Sequence, residues 1–172
     1  MAKYEFTGET ETFMGRTLHR IRAVVEIASL GVAIGQLGGW IEKPSNLAQV
    51  SGDAWVSGNA RVYGNARVYG NAQVSGDAWV YGNAQVYGNA RVSGDAWVQF
   101  TCSSTPVVLS GLRWTVTITD MNMQIGCQGH PIAKWAKFAD RTISAMDRYA
   151  LTFWTAHKTM ILALADTKVK SS

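Results

Sequence analysis

A repeat of six residues dominates this chain and limits what it can fold into. Beginning at Gly52, Gly58, Gly64, Gly70, Gly76, Gly82, Gly88 and Gly94, the sequence reads Gly-(Asp/Asn)-Ala-x-Val-x eight times. Asn46 to Ser51 is a degenerate ninth copy in front. A period of six suits neither an α-helix, at 3.6 residues per turn, nor a stack of hairpins. In each Ala-x-Val-x segment Ala and Val fall two apart and face one side of an extended chain. Val56, Val62, Val68 and their equivalents are β-branched and fill an interior. Ala54, Ala60 and Ala66 are small and let the chain turn inward. Gly followed by Asn or Asp tolerates the positive φ of a corner.

Three such sides close a triangular coil of 18 residues, so the nine hexads over residues 46–99 predict three stacked coils. The coil assigns the outward residues to three faces. One carries Gln49, Ser51, Arg67, Tyr69, Gln85 and Tyr87. The second carries Trp55, Ser57, Gln73, Ser75, Arg91 and Ser93. The third carries Arg61, Tyr63, Trp79, Tyr81, Trp97 and Gln99. Trp79 is expected to stack on Trp97, Tyr63 on Tyr81, and Tyr69 on Tyr87. Three coils are few, and their ends and some faces need cover from the rest of the chain or from a second subunit.

The flanks divide the chain into a strand module and cap (residues 1–45), the repeats (46–99), and a hairpin with helices (100–172). In the first, Tyr4 to Thr7, Glu11 to Met14 and Arg16 to Val25 read as strands. The last of these puts Thr17, His19, Ile21, Ala23 and Val25 on one face, and Arg16, Leu18, Arg20 and Arg22 on the other. Trp40 and Ile41 are expected to plug the first coil, with Pro44 fixing the turn into it. After the repeats, Leu112, Trp114, Val116 and Ile118 alternate with polar residues as in a half-buried strand, and Met123, Ile125 and Cys127 return. His130-Pro131 is expected to open a short helix to Phe138. Asp140 is expected to cap a longer one to about Asp166, with an apolar stripe of Ile143, Met146, Ala150, Phe153, His157, Met160 and Leu164, widened by Trp154 and Ile161. The fold class is therefore mainly β.

Apolar residues make up 47% of the 172 and charged ones 16%, which excludes a disordered polar chain. The formal charge of +4 resides in residues 100–172, with eight basic and four acidic groups. It favours anions without forming a nucleic-acid footprint. Two cysteines, Cys102 and Cys127, are too few for a disulfide framework and read as reduced thiols. The chain opens without a signal peptide, and Tyr149 to Ala165, the most apolar late stretch, is short for a bilayer span and contains His157 and Lys158. The expectation is a cytoplasmic protein with no membrane partner. Cys127-x-x-His130 supplies two ligands where a structural zinc wants four, so neither metal nor cofactor is expected.

The hexads resemble those of left-handed β-helix proteins, in which an aliphatic residue is followed four positions later by a small one, as in Val56 with Ala60 and Val62 with Ala66. The order of parts also resembles a group of small phage and prophage hexapeptide-repeat proteins of the polymer-forming type. The matching residues are Lys3 to Phe6, Arg20 to Ala23, Leu37 to Glu42 and the repeats. The Ile125-Gly-Cys-Gln segment and the Trp-bearing C-terminal helix are similar too. The resemblance covers most of the chain and implies phage origin, action in the host cytoplasm and a homo-oligomer, for which a trimer is expected. β-Helix acyltransferases share the hexads but use a histidine base, and His19, His130 and His157 all lie outside the repeats. Ice-binding faces use ranks of Thr, and residues 46–99 contain none. A phage structural or assembly part is an alternative. The reading the residues favour is a non-enzymatic binding protein that counters host immunity, by sequestering an anionic nucleotide signal or by covering a defence protein. Its expected ligand-binding residues are Arg20, Arg22, Arg61, Tyr63, Trp79, Tyr81 and Trp97, aromatics beside arginines that suit a base-bearing anion.

Overall fold

In the computed structural model, residues 2–169 are described; Lys170, counted above in the basic surplus, lies outside them. The hexads form eight two-residue strands, β4 (Trp55–Val56) to β11 (Trp97–Val98), each one hexad apart. Strands 18 residues apart pair in parallel: Trp55 with Gln73 and Gln73 with Arg91, Arg61 with Trp79 and Trp79 with Trp97, Arg67 with Gln85. The coil is thus 18 residues, and the repeats make a three-coil β-solenoid. Every Ala and Val of the eight Gly-led copies is buried in one continuous core, whereas in the degenerate copy over 46–51 Val50 is exposed and Leu47 takes the inward place beside Val68. The corner glycines have two reasons to be glycine. Gly76 sits at φ +69°, and a Cβ there would lie 2.9 Å from the backbone nitrogen of Gly94 in the next coil. Stacked Asn side chains bridge the same corners, Asn65 to Asn83 and Asn71 to Asn89, both at 3.3 Å.

The third face does not stop at the repeats. Strand β3 (Leu37–Ile41) pairs in parallel with β5 (Arg61–Val62). The hairpin of β1 (Tyr4–Phe13) and β2 (Arg16–Ala23) then continues the sheet antiparallel, in the order β1-β2-β3-β5-β8-β11. Gly38 and Gly39 allow this close approach. A Cβ on Gly39 would lie 2.6 Å from Val56 Cγ1 and 2.7 Å from the Ala60 carbonyl oxygen. Of the expected plug, Ile41 is buried in the solenoid core, but Trp40 points outward, with the Arg20 guanidinium 5.1 Å from its ring. Tyr4, Ile21, Ile27 and Val32 close that end instead. Leu18, Ile21 and Ala23 of β2 are all buried, Ile21 and Ala23 in the solenoid core and Leu18 outside it, in keeping with the expected alternation. The register of β1 on β2 shifts between Phe6 and Thr10, opposite Ile21 and His19, and the extra residues lie on β1.

Glu42 fastens the hairpin to the coils. Its carboxylate accepts from the Gly64 amide at 2.6 Å and from Arg16 at 2.8 Å. Burial pushes its pKa upward, but the Gly64 amide and Arg16 outweigh that and hold it below the ordinary value of 4.5. A depressed carboxylate contributes stability that is complete above its unfolded pKa and is lost as the pH falls through the folded one. The urea midpoint of the protein should therefore fall below about pH 4.5, and Glu42→Gln should flatten that fall while lowering the midpoint at pH 7. Parallel pH profiles of the two proteins would refute this role.

The C-terminal residues build a second core. Strands β12 (Val107–Leu109), β13 (Val116–Ile118), β14 (Asn122–Ile125) and β15 (Gln128–Pro131) form an antiparallel meander in chain order. Helices α1 (Ile132–Trp135), α2 (Asp140–Ser144) and α3 (Ala150–Val169) cover it. Three expectations change here. Leu112 and Trp114 precede the strand, which begins only at Val116. His130 and Pro131 belong to β15, paired with Met123 and Asn122, and the helix starts after them. The long helix is broken between Ser144 and Ala150, and Asp140 is the first residue of α2 rather than its cap, which is Ala139. The break turns α3, so its buried line runs through Phe153, Trp154, Ile161, Ala165 and Lys168 while Met160 is exposed.

Candidate functional site

The third face gathers the expected ladder. Trp79 and Trp97 stack at 4.7 Å between centroids and 7° between planes, and Tyr63 and Tyr81 at 5.6 Å and 12°. Tyr69 and Tyr87 do the same on their own face, at 5.1 Å. These geometries follow from the 18-residue coil, which repeats each position about 4.8 Å further along. Stacking also consumes the ring faces that a ligand base would need. Phe13, from the hairpin tip, sets its ring edgewise on Trp79 at 4.8 Å and on Tyr63 at 5.8 Å. From the other side Gln124 donates to the Tyr81 hydroxyl at 2.6 Å. Burial, reinforced by Tyr81, pushes the Tyr63 phenol up to about 12.

The arginines of that cluster are engaged within the chain. Arg61 makes a two-pronged bond to Glu11 at 2.7 and 3.1 Å and lies 4.5 Å from the Phe13 ring. Arg22 pairs with Glu5, and Arg20 donates to the Gly58 carbonyl at 3.1 Å beside Trp40. The structure therefore brings Arg61, Tyr63, Trp79, Tyr81 and Trp97 together on one face and sets Arg20 and Arg22 beside it on β2. It uses the ladder to seat the hairpin tip and the inner strands of the C-terminal sheet.

The second core holds a cavity of about 110 Å³. Its walls are Trp114, Trp135, Trp154, Phe153, Ile125 and Ile143, and Cys127, Gln128, Met146, Asp147 and Ala150 complete the lining. Trp114 meets Phe153 edgewise at 5.1 Å, and Trp135 meets Trp154 at 5.4 Å. The Trp135 indole donates to the Met123 carbonyl at 2.8 Å, which fixes that wall to β14. At about 110 Å³ the enclosed space is smaller than the roughly 150 Å³ apolar cavity that holds a benzene ring, so it admits a compact apolar group or one edge of a planar ring whose remainder stands in the open mouth. Sequence reasoning missed it. Its residues come from the loop before β13, the turn between β14 and β15, and all three helices. The available signal was a concentration of aromatics in residues 114–154 facing no partner of their own period.

The titratable groups are dispersed. His19 lies on Phe6 at 4.8 Å, His130 among Trp135 and Phe138, and His157 against Phe153. Burial, with Lys134 adding to it, lowers the pKa of His130. Among the described residues no group of three His, Cys, Asp or Glu side chains is placed to hold a metal ion. No described helix is long and apolar enough to cross a membrane. The two thiols differ sharply. Cys102 is buried beneath the last coil and pushed up to about 12 by burial, with Asp120 adding to the effect. Cys127 is exposed at the cavity. A native protein treated with iodoacetamide at pH 7.5 should therefore take up a single label, on Cys127, and a second only after denaturation. Labelling of Cys102 in the folded protein would contradict its placement.

Residues 48–62, 60–76 and 84–99 match the family described as YdcK Beta solenoid repeat. The match lies within the coils, residues 77–83 excepted, and leaves both flanking modules outside it. A search of curated proteins finds no match to the chain.

Proposed function

Starting from a β-solenoid repeat protein with an aromatic cavity in its C-terminal module, we propose that this chain is a non-enzymatic binding protein whose ligand places a planar ring in that cavity. The observation that carries the reading is the cavity itself, walled by three tryptophans and a phenylalanine. Small-molecule sites are concave, mostly apolar and few per protein. The solenoid serves as a rigid support on which the hairpin and the C-terminal sheet are fixed. The three histidines each pack on aromatic rings rather than beside a nucleophile, an arrangement that suits binding better than acyl transfer. The likeness to small phage proteins supplies the biological setting: a phage product acting in the host cytoplasm, countering defence by holding a nucleotide signal. Self-association is part of the proposal. The face bearing Arg67, Tyr69, Gln85 and Tyr87 supports it, because Arg67 and Gln85 are exposed there and, among the described residues, only the isolated bridges of Leu47 to Val68 and of Val86 to Cys102 extend its two strands. A trimer is the expected assembly, and a monomer mass by light scattering would overturn it.

A thermal-shift screen tests the ligand reading. Nucleosides, nucleotides, cyclic dinucleotides, nucleotide sugars and acetyl-CoA would each be added to the full chain. A ligand at 100 times its Kd stabilises the protein by about 2.7 kcal/mol, which moves Tm by several degrees. A shift with base-bearing ligands that disappears when the cavity is filled supports the reading. A response to acetyl-CoA alone would favour the transferase, and silence throughout would overturn a small-molecule ligand.

A further inference from the structure

Two guanidiniums stack on one tyrosine beside the cavity, outside its lining but next to the lining residues Trp114, Asp147 and Ala150. Arg113 Cζ lies 3.8 Å from the centroid of the Tyr149 ring and 5.3 Å from that of Trp114, a wall of the cavity. Arg148 Cζ lies 4.5 Å from the same Tyr149 ring. Tyr149 in turn is flanked in sequence by Arg148 and Ala150, and Ala150 lines the cavity. The ion pairs among the described residues are Arg16 with Glu42, Arg22 with Glu5, and Arg61 with Glu11, so neither Arg113 nor Arg148 is engaged by a carboxylate there. Holding two positive charges on one phenol ring carries a repulsive cost that a bound anion would relieve. The one carboxylate in the lining, Asp147, is turned to the backbone, where its Oδ1 accepts from the Tyr149 amide at 2.8 Å.

An aromatic box with an aspartate could equally suggest a cationic ligand. The charges decide against it. The rings of Trp114 and Tyr149 already carry Arg113 and Arg148, and Lys158 Nζ lies 5.8 Å from the Trp154 ring. An incoming cation would meet three positive groups and one internally bonded carboxylate. An anion would meet two forked donors suited to a phosphate.

We infer that Arg113, Tyr149 and Arg148 form an anion subsite, and that the ligand is a ring-bearing phosphate ester of the nucleotide class, with its base in the cavity and its phosphate on the two guanidiniums. The inference rests on the reading of the cavity as a ring site, and the two can fail separately. The test compares the four common ribonucleosides with their 5′-monophosphates by titration calorimetry at low salt. The full chain is compared with an Arg113→Gln/Arg148→Gln double variant and with Asp147→Asn. Both arginines are exposed, so the double variant should keep the parental circular dichroism and Tm. The expected result is at least one base for which the phosphate strengthens binding tenfold or more. That increment should vanish in the double variant while nucleoside affinity stays the same, and Asp147→Asn should tighten the nucleotide a few-fold. Nucleoside binding with no phosphate increment, or an increment that survives the double variant, would overturn the subsite and leave the ring site standing. Failure of nucleosides and nucleotides alike would overturn both.

Discussion

Val80→Asp should leave the chain unable to fold. Val80 lies in the middle coil, fully buried, paired with Val62 above and Val98 below. Its neighbours are the Val and Ala side chains of the solenoid core, and none of them can pair with a carboxylate. Burying an isolated charge in such surroundings costs many kcal/mol, or forces the group to take up a proton at a cost of several. Natural domains have only about 5–15 kcal/mol in hand. The defect also lies where coils depend on their neighbours, so it should break the stack and detach both caps. Arg91→Asp is the control. It lies on an exposed strand position of the same solenoid, and its effect should stay within about 0.5 kcal/mol. Circular dichroism and a urea titration of the two variants read the outcome. A folded Val80→Asp protein of near-parental stability would mean that the valines do not form a dry core.

Ala150→Phe should abolish ring binding while preserving the solenoid. Ala150 opens α3 and lines the cavity, so a benzyl group placed there fills the space proposed for the ligand. Overfilling a packed region costs about 1–3 kcal/mol, and here the group has an existing void to enter, so the stability change should lie at the low end. Affinity for any base-bearing ligand should fall at least a hundredfold. Ligand binding of parental strength in a folded Ala150→Phe protein would place the site elsewhere, with the solenoid ladder as the first alternative.

What was legible in the sequence follows from what is local. The 18-residue coil, the inward Ala and Val, and the stacked pairs Trp79–Trp97, Tyr63–Tyr81 and Tyr69–Tyr87 all follow from a repeat that fixes its neighbours by period alone. Cover by other parts of the chain was not legible in this way. Glu11 and Phe13 lie about fifty positions before the residues they meet, and nothing in their spacing points to Arg61 or Trp79. That some faces need cover was legible, but which segment covers the outward aromatics was not, because the hairpin that seats on them has no repeat of its own. The break after Ser144 was hidden for a related reason. Apolar residues continue at helical spacing through it, although the chain there turns through Asp147, whose carboxylate caps the Tyr149 amide. That break lets Ile143 and Met146 face Phe153 and Trp154 across a void, and so it makes the cavity. A site assembled from a turn, a loop and three helices leaves only an unexplained surplus of tryptophan in the sequence.

The central claim is that ligand enters the C-terminal cavity and not the ladder face, and the indole N–H signals of the protein report on both at once. Of the seven tryptophans, Trp114, Trp135 and Trp154 wall the cavity, while Trp40, Trp55, Trp79 and Trp97 belong to the solenoid and its cap. A ¹⁵N-labelled sample, assigned by single Trp→Phe variants, would be titrated with the ligand that gives the largest thermal shift. The account predicts that the signals of Trp114, Trp135 and Trp154 move together with one dissociation constant and that the other four stay in place. Movement of Trp79 and Trp97 with the cavity signals unmoved would contradict it and return the site to the aromatic ladder.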